Sequence, residues 1–113
     1  MRKMKCFITG VNGFVGKYLA TSLLKKGHEV SGIGTSESEN KEIQYYQVNL
    51  LDKAKIKHIL KKIKPDQVYH LAGISSVRKC LEEPKRCREI NVDGTKNVLQ
   101  SVVELNLKPN IIV

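Results

Sequence analysis

The chain has 113 residues, a formal net charge of +9 and a hydrophobic share of 41%. That length holds one domain around one core. No apolar run approaches the ~18–20 residues needed to cross a bilayer, so no membrane partner is expected. The basic start, Met1-Arg2-Lys3-Met4-Lys5, leads into Cys6-Phe7-Ile8, too short an apolar stretch for a secretory signal, and a cytoplasmic protein is expected. Cys80 and Cys87 have no histidine or further cysteine at metal-ligand spacing. A structural or incidental role is expected for all three cysteines, and no metal site.

The pattern along the chain alternates strand and helix. Residues 5–9 are apolar and predict a first, buried strand. After a glycine-rich turn, Phe14, Val15, Tyr18, Leu19, Leu23 and Leu24 recur at helical spacing, and Gly27 closes that helix. Residues 29–33 predict the second strand, ending at Gly32 and Gly34, and the polar residues 35–42 a loop. Residues 43–48 predict the third strand. A helix is expected from about residue 52 to residue 63, where Ile56, Ile59, Leu60 and Ile63 form the apolar face.

That helix region also carries Lys53, Lys55, Lys57, Lys61, Lys62 and Lys64, six of the excess cations. Their spacing places them mainly on the solvent face. With no aromatic residues interleaved to stack bases, a nucleic-acid partner is not expected. Pro65-Asp66 breaks the helix, and residues 67–71 predict a fourth strand. A loop over 72–77, helical stretches over 79–88 and 93–105, and the start of a fifth strand at 110–113 complete the chain.

Strands separated by helices run parallel, because a parallel pair needs a crossover, nearly always right-handed. The fold class expected is therefore α/β, a Rossmann-type doubly wound sheet of order 3-2-1-4-5 with helices on both faces. Ligand then binds beyond the carboxyl ends of strands one and four, at Thr9-Gly10 and His70-Leu71-Ala72. His70, at the end of a buried strand, reads as a satisfied core histidine before it reads as a catalytic one.

The turn itself, Thr9-Gly10-Val11-Asn12-Gly13-Phe14-Val15-Gly16, spaces its glycines as G-x-x-G-x-x-G. Gly10 permits the sharp turn off the strand, Gly13 lets a pyrophosphate approach the helix N-terminus, and Gly16 lets the helix pack closely on the sheet. The free N–H groups and dipole of the helix then attract the anion. Because the turn follows a strand and opens an amphipathic helix, its context supports dinucleotide binding.

TGVNGFVGKYLA resembles the opening of the extended short-chain dehydrogenase/reductases, the nucleotide-sugar epimerases and dehydratases. VNLLD at 48–52, PDQVYHLAG at 65–73 and INVDGTKNVL at 90–99 resemble that family's next motifs, in the same order and across essentially the whole chain. Within the family, the chain looks most like the branch acting on GDP-mannose and GDP-6-deoxy-mannose. The resemblance implies that Asn12, Gly13, Phe14 and Val15 wrap the cofactor pyrophosphate. It implies that Asn49 and Leu50 touch adenine, Asn49 standing where Asp is commoner. Leu71, Ala72 and Gly73 would line the cofactor through backbone, and Ser75 and Ser76 would lie near the reacting sugar. Asn91 and Thr95 match structural anchors behind the site. For Ser75, Ser76 and Asn91 a purely local role in turn or helix stays equally open.

Cofactor choice turns on the residues after strand two. Gly34-Thr35-Ser36 places small hydroxyls there and no acid before Glu37, so NADP is expected over NAD, with NAD possible. The family reacts through a Tyr and a Lys four residues later, and the resemblance places that pair beyond residue 113. Tyr45, Tyr46 and Tyr69 have no such lysine, so no catalytic residue is assigned within this chain. The expectation is the NAD(P)-binding part of a nucleotide-sugar dehydratase, epimerase or reductase, whose full-length form takes a nucleotide-sugar substrate and forms a homo-oligomer. The alternative is a non-catalytic dinucleotide-binding module or redox sensor.

Overall fold

The computed structural model describes residues 2–38, 40–73 and 77–112. β1 (Lys5–Thr9), β2 (Glu29–Gly34), β3 (Gln44–Gln47), β4 (Gln67–His70) and β5 (Asn110–Ile112) form one parallel sheet in the order β3-β2-β1-β4-β5. This is the order expected from the crossover rule. β1 lies at its centre and is buried on both faces, which is why it reads as a continuous apolar run rather than an alternating one.

The period-2 pleat still sorts β1 between two cores. Phe7 faces one side with Ile33, Val48 and Val68, against α2 (Lys53–Ile63) and α5 (Gly94–Glu104) through Ile56, Leu60, Val98 and Val102. Cys6 and Ile8 face the other with Val11, Val30 and Ile43, against Ala20 and Leu23 of α1 (Phe14–Lys25). Burial pushes the Cys6 thiol above its ordinary value, with the charge of Asp66 adding to the effect.

α2 starts where the sequence places it, because Asp52 caps it by accepting from the Lys55 N–H at 3.2 Å. Its lysines are not all free in solvent. Lys53 and Lys57 both reach Glu104 of α5, at 2.7 and 3.1 Å.

The stretch 79–88 divides into α3 (Val77–Glu82) and α4 (Pro84–Arg88). Pro84 disfavours helical backbone at the residue before it, and Glu83 takes φ −134° and ψ 67°. From Pro84 the helix continues through a π-helical turn, Glu89–Asp93, into α5. Cys80 and Cys87 are joined in a disulfide that ties α3 to α4, a specific role that spacing alone does not announce. Among the described residues no helix is long and apolar enough to cross a membrane.

Candidate functional site

The carboxyl ends of β1, β2 and β4 open into a cleft of about 660 Å³. Gly10, Asn12 and Gly13 form one wall, and Gly34, Thr35 and Ser36 another. Asn49 and Leu50 lie at one end, and Leu71, Ala72 and Gly73 along the β4 side. The glycine turn, the end of β2 and the motifs after β3 and β4 therefore meet in one place.

Two glycines make this possible. Gly10 has φ +70°, and a Cβ on it would stand 2.9 Å from the Ala72 backbone nitrogen. The turn and the end of β4 thus approach as closely as backbones can. Gly16 is buried beneath the turn, and a Cβ there would lie 2.3 Å from the Gly10 carbonyl oxygen. No side chain caps the N-terminus of α1 and no acid stands in its first turn, so the first N–H groups of the helix remain available to an anion.

Phe14 and Val15 follow the turn, but their side chains point to solvent, 80% and 60% exposed, and neither lines the cleft. Any part they take in binding an anion is through backbone. The Asn12 side chain is occupied locally, its Nδ2 donating to the Ser36 hydroxyl and carbonyl at 3.3 and 3.4 Å. The Tyr45 hydroxyl also donates to the Ser36 carbonyl, and Gln47 Nε2 donates to the Thr35 carbonyl at 3.1 Å. These contacts pin the turn after β2 from both sides. Asn49 Oδ1 accepts from the Leu51 N–H at 2.9 Å, which leaves the Nδ2 donor as the available end of the amide. Ser75 and Ser76 lie outside the described residues.

His70 is buried and hydrogen-bonded at both ring nitrogens. Thr9 Oγ1 lies 2.7 Å from Nδ1, and Thr95 Oγ1 lies 2.9 Å from Nε2. Thr9 Oγ1 also accepts from the Leu71 and Ala72 N–H groups, each at 3.1 Å, and the Thr95 hydroxyl donates to the Asn91 carbonyl at 2.6 Å. One proton arrangement satisfies the whole set. Thr9 donates to Nδ1, the ring is neutral with its proton on Nε2, and Nε2–H donates to Thr95. Burial lowers the His70 pKa and favours that neutral form. The histidine is therefore part of the scaffold that holds the β4 end.

Lys79, Glu83, Arg86 and Ile90 form the remaining wall of the cleft; none was assigned to the site from sequence, although Ile90 opens the INVDGTKNVL motif. They come from α3, α4 and the π-helical turn, and only the return of that segment over the sheet brings them there. Asn97 was also missed. Its Nδ2 donates to the Leu50 carbonyl at 2.8 Å and holds the β3 side of the cleft against α5.

A parallel 3-2-1-4-5 sheet with a G-x-x-G-x-x-G turn between β1 and α1 is the Rossmann-type architecture of the extended short-chain dehydrogenase/reductases. The chain is similar to the UDP-glucose 4-epimerase of Thermus thermophilus, solved in complex with NAD, with a TM-score of 0.86 and 28% identity over 93% of this chain and 35% of that one. It belongs to the GDP-mannose 4,6-dehydratase family, whose model matches residues 7–113, within the NAD-dependent epimerases and dehydratases. Among curated relatives it is 33% identical to a GDP-mannose 4,6-dehydratase of Vibrio cholerae, over 94% of this chain and 33% of the relative. It is 34% identical to a UDP-N-acetyl-alpha-D-glucosaminuronate decarboxylase of Bacillus cytotoxicus, over 90% and 34%. The chain thus spans about a third of the length of these relatives.

Proposed function

We propose that the cleft holds a nicotinamide dinucleotide, and that the chain is the cofactor-binding part of an enzyme acting on a nucleotide sugar, of the GDP-mannose type. The observation that carries this reading is the approach of Gly10 to Ala72, which joins the glycine turn, the uncapped start of α1 and the β4 end in one cleft. Gly10, Gly13 and the first amides of α1 would receive the pyrophosphate, Gly16 allowing the helix to sit close enough. Asn49 would offer its Nδ2 to an adenine ring nitrogen, with Leu50 packed beside the base. Leu71, Ala72 and Gly73 would border the cofactor through backbone, and Ser75 belongs to the same proposed set. When bound, the nicotinamide supplies hydride exchange with a sugar carbon.

NADP is the favoured cofactor. Thr35 and Ser36 border the cleft where a ribose 2′-phosphate would lie, and Lys79 and Arg86 outweigh the charge of Glu83 on its far wall. The exposed Leu99 and Val103 on α5 suit pairing of two copies through that helix, which sedimentation would show as a dimer.

Titration of the chain with NADPH and NADH, followed by reduced-nicotinamide fluorescence, tests the cofactor reading. Saturable binding of both, with NADPH several-fold tighter, is expected. Equal or tighter NADH binding would overturn the NADP preference, and absence of binding would overturn the dinucleotide reading itself.

A further inference from the structure

We propose that the Cys80–Cys87 pair is a thiol–disulfide switch that sets the affinity of the cleft, a proposal that rests on the dinucleotide reading above. The disulfide joins the two short helices that contribute one wall of the cleft. Lys79 precedes one of its cysteines and Arg86 the other, and both line the cleft, as does Glu83 between the two helices that the bond ties together.

A continuous run of polar contacts leads from the sulfur to the β4 end. Asn91 Nδ2 donates to Cys87 Sγ at 3.3 Å. The Oδ1 of the same amide lies so near Gly73 that a Cβ there would be 2.8 Å from it. The Asn91 carbonyl accepts from Thr95, Thr95 meets His70, and His70 meets Thr9, which receives the Leu71 and Ala72 amides. Asn91 also sits in the π-helical turn, a local departure from α-helical bonding that is frequent at functional positions. The cysteine pair therefore touches, through one amide side chain, the backbone segment that borders the cleft.

The chemistry is thiol–disulfide exchange with an external dithiol. Cys87 is buried and Cys80 half-buried, so the dithiol's thiolate attacks Cys80 Sγ. The sulfur–sulfur bond breaks, and Cys87 leaves as a thiolate that receives the Asn91 N–H and then a proton. The second thiol of the reductant attacks its own sulfur in the mixed disulfide and releases Cys80, which is protonated in turn. Two electrons pass to the protein, and the dithiol becomes a disulfide. Around the pair in sequence Arg78, Lys79, Lys85, Arg86 and Arg88 outnumber Glu82, Glu83 and Glu89, with Arg78 paired to Glu82, a net positive setting that suits thiolate chemistry. Reduction unties α3 from α4 and leaves Asn91 a thiol in place of a fixed sulfur, so the β4 end is held less firmly.

Two readouts on the full chain test this, with and without dithiothreitol. Reduction should speed amide hydrogen exchange at Leu71 and Ala72 while Ile8, deep in β1, is unchanged. It should weaken NADPH binding about five-fold, a loosening comparable in size to the net worth of one hydrogen bond, with recovery on oxidation by glutathione disulfide. The double variant Cys80→Ser, Cys87→Ser should match the reduced chain and ignore dithiothreitol. Asn91→Ala should keep the disulfide yet lose the response of Leu71 and Ala72 to reduction. Identical exchange and identical affinity in the two states would overturn the switch and leave the cofactor reading standing. Binding in neither state would overturn the cofactor reading and the claim on affinity, whereas redox-dependent exchange would still support coupling of the disulfide to the β4 end.

Discussion

The Thr9 hydroxyl stands 2.7 Å from Nδ1 of His70 and joins β1 to β4 at the end where the cleft opens. Because Thr9 also receives the Leu71 and Ala72 amides, its proton is committed to the histidine. A second proton on the ring would set N–H against O–H. The folded pKa of His70 lies below the ordinary 6.5 because of burial, so the unfolded chain takes up the proton first. Its contribution to stability is therefore fully present above pH 6.5 and is lost as pH falls through the lowered folded value. Thermal melts across this range should show Tm falling with acid, and His70→Gln should flatten that part of the profile. Thr9→Val, which strands the Ala72 amide and a ring nitrogen and leaves the Leu71 amide only the Thr9 carbonyl, should cost about 1–3 kcal/mol at neutral pH by chemical denaturation.

Gly13 and Gly16 should behave differently when given a methyl group. At Gly16 the added Cβ would meet the Gly10 carbonyl at 2.3 Å and the Val11 Cα at 2.8 Å, and both are backbone that cannot swing aside. Gly16→Ala should cost about 1–3 kcal/mol in denaturant melts, as overpacking does, and should disturb the turn. At Gly13 the nearest atom would be 3.2 Å away. Gly13→Ala should stay folded within about 1 kcal/mol, yet bind NADPH more weakly because its methyl group lies where the pyrophosphate would come. Equal loss of stability in both would refute this division of roles.

Glu104 receives both Lys53 and Lys57, and the two lysines hold its carboxylate below the ordinary range. The group is exposed, so the pairing adds little to the fold. Glu104→Gln should shift Tm only slightly in dilute buffer. The shift should vanish near 1 M salt, where screening acts over about 3 Å. A large, salt-insensitive loss would show that α2 and α5 depend on this contact more than on the apolar seam of Ile56, Leu60, Val98 and Val102.

Much of the fold and part of the cleft are legible without coordinates. The G-x-x-G-x-x-G turn, the buried run 5–9 and the helical spacing over 52–63 are local patterns, and each appears where its spacing requires. The residues missed in the cleft share a different origin. Lys79, Glu83 and Arg86 belong to no recognised motif, Ile90 only opens one, and all four join Gly10 in the cleft only through the path of the chain over the sheet. Asn12 was found by position, but its partner Ser36 depends on how two distant turns meet in space, whereas Asn49 bonds locally to the amide two residues on.

What the sequence by itself determined is the order of elements, the handedness of their crossovers and hence the strand order, because hydrophobic period and glycine spacing act within a few residues. Only the tertiary structure decided which polar groups face one another across long separations. Thr9 with His70 and Asn97 with Leu50 meet because burial makes protein groups stand in for water as their hydrogen-bond partners. The disulfide, over a shorter separation, also depends on how two helices meet. Two cysteines seven apart signal nothing until Pro84 breaks the helix between them and turns the pair together.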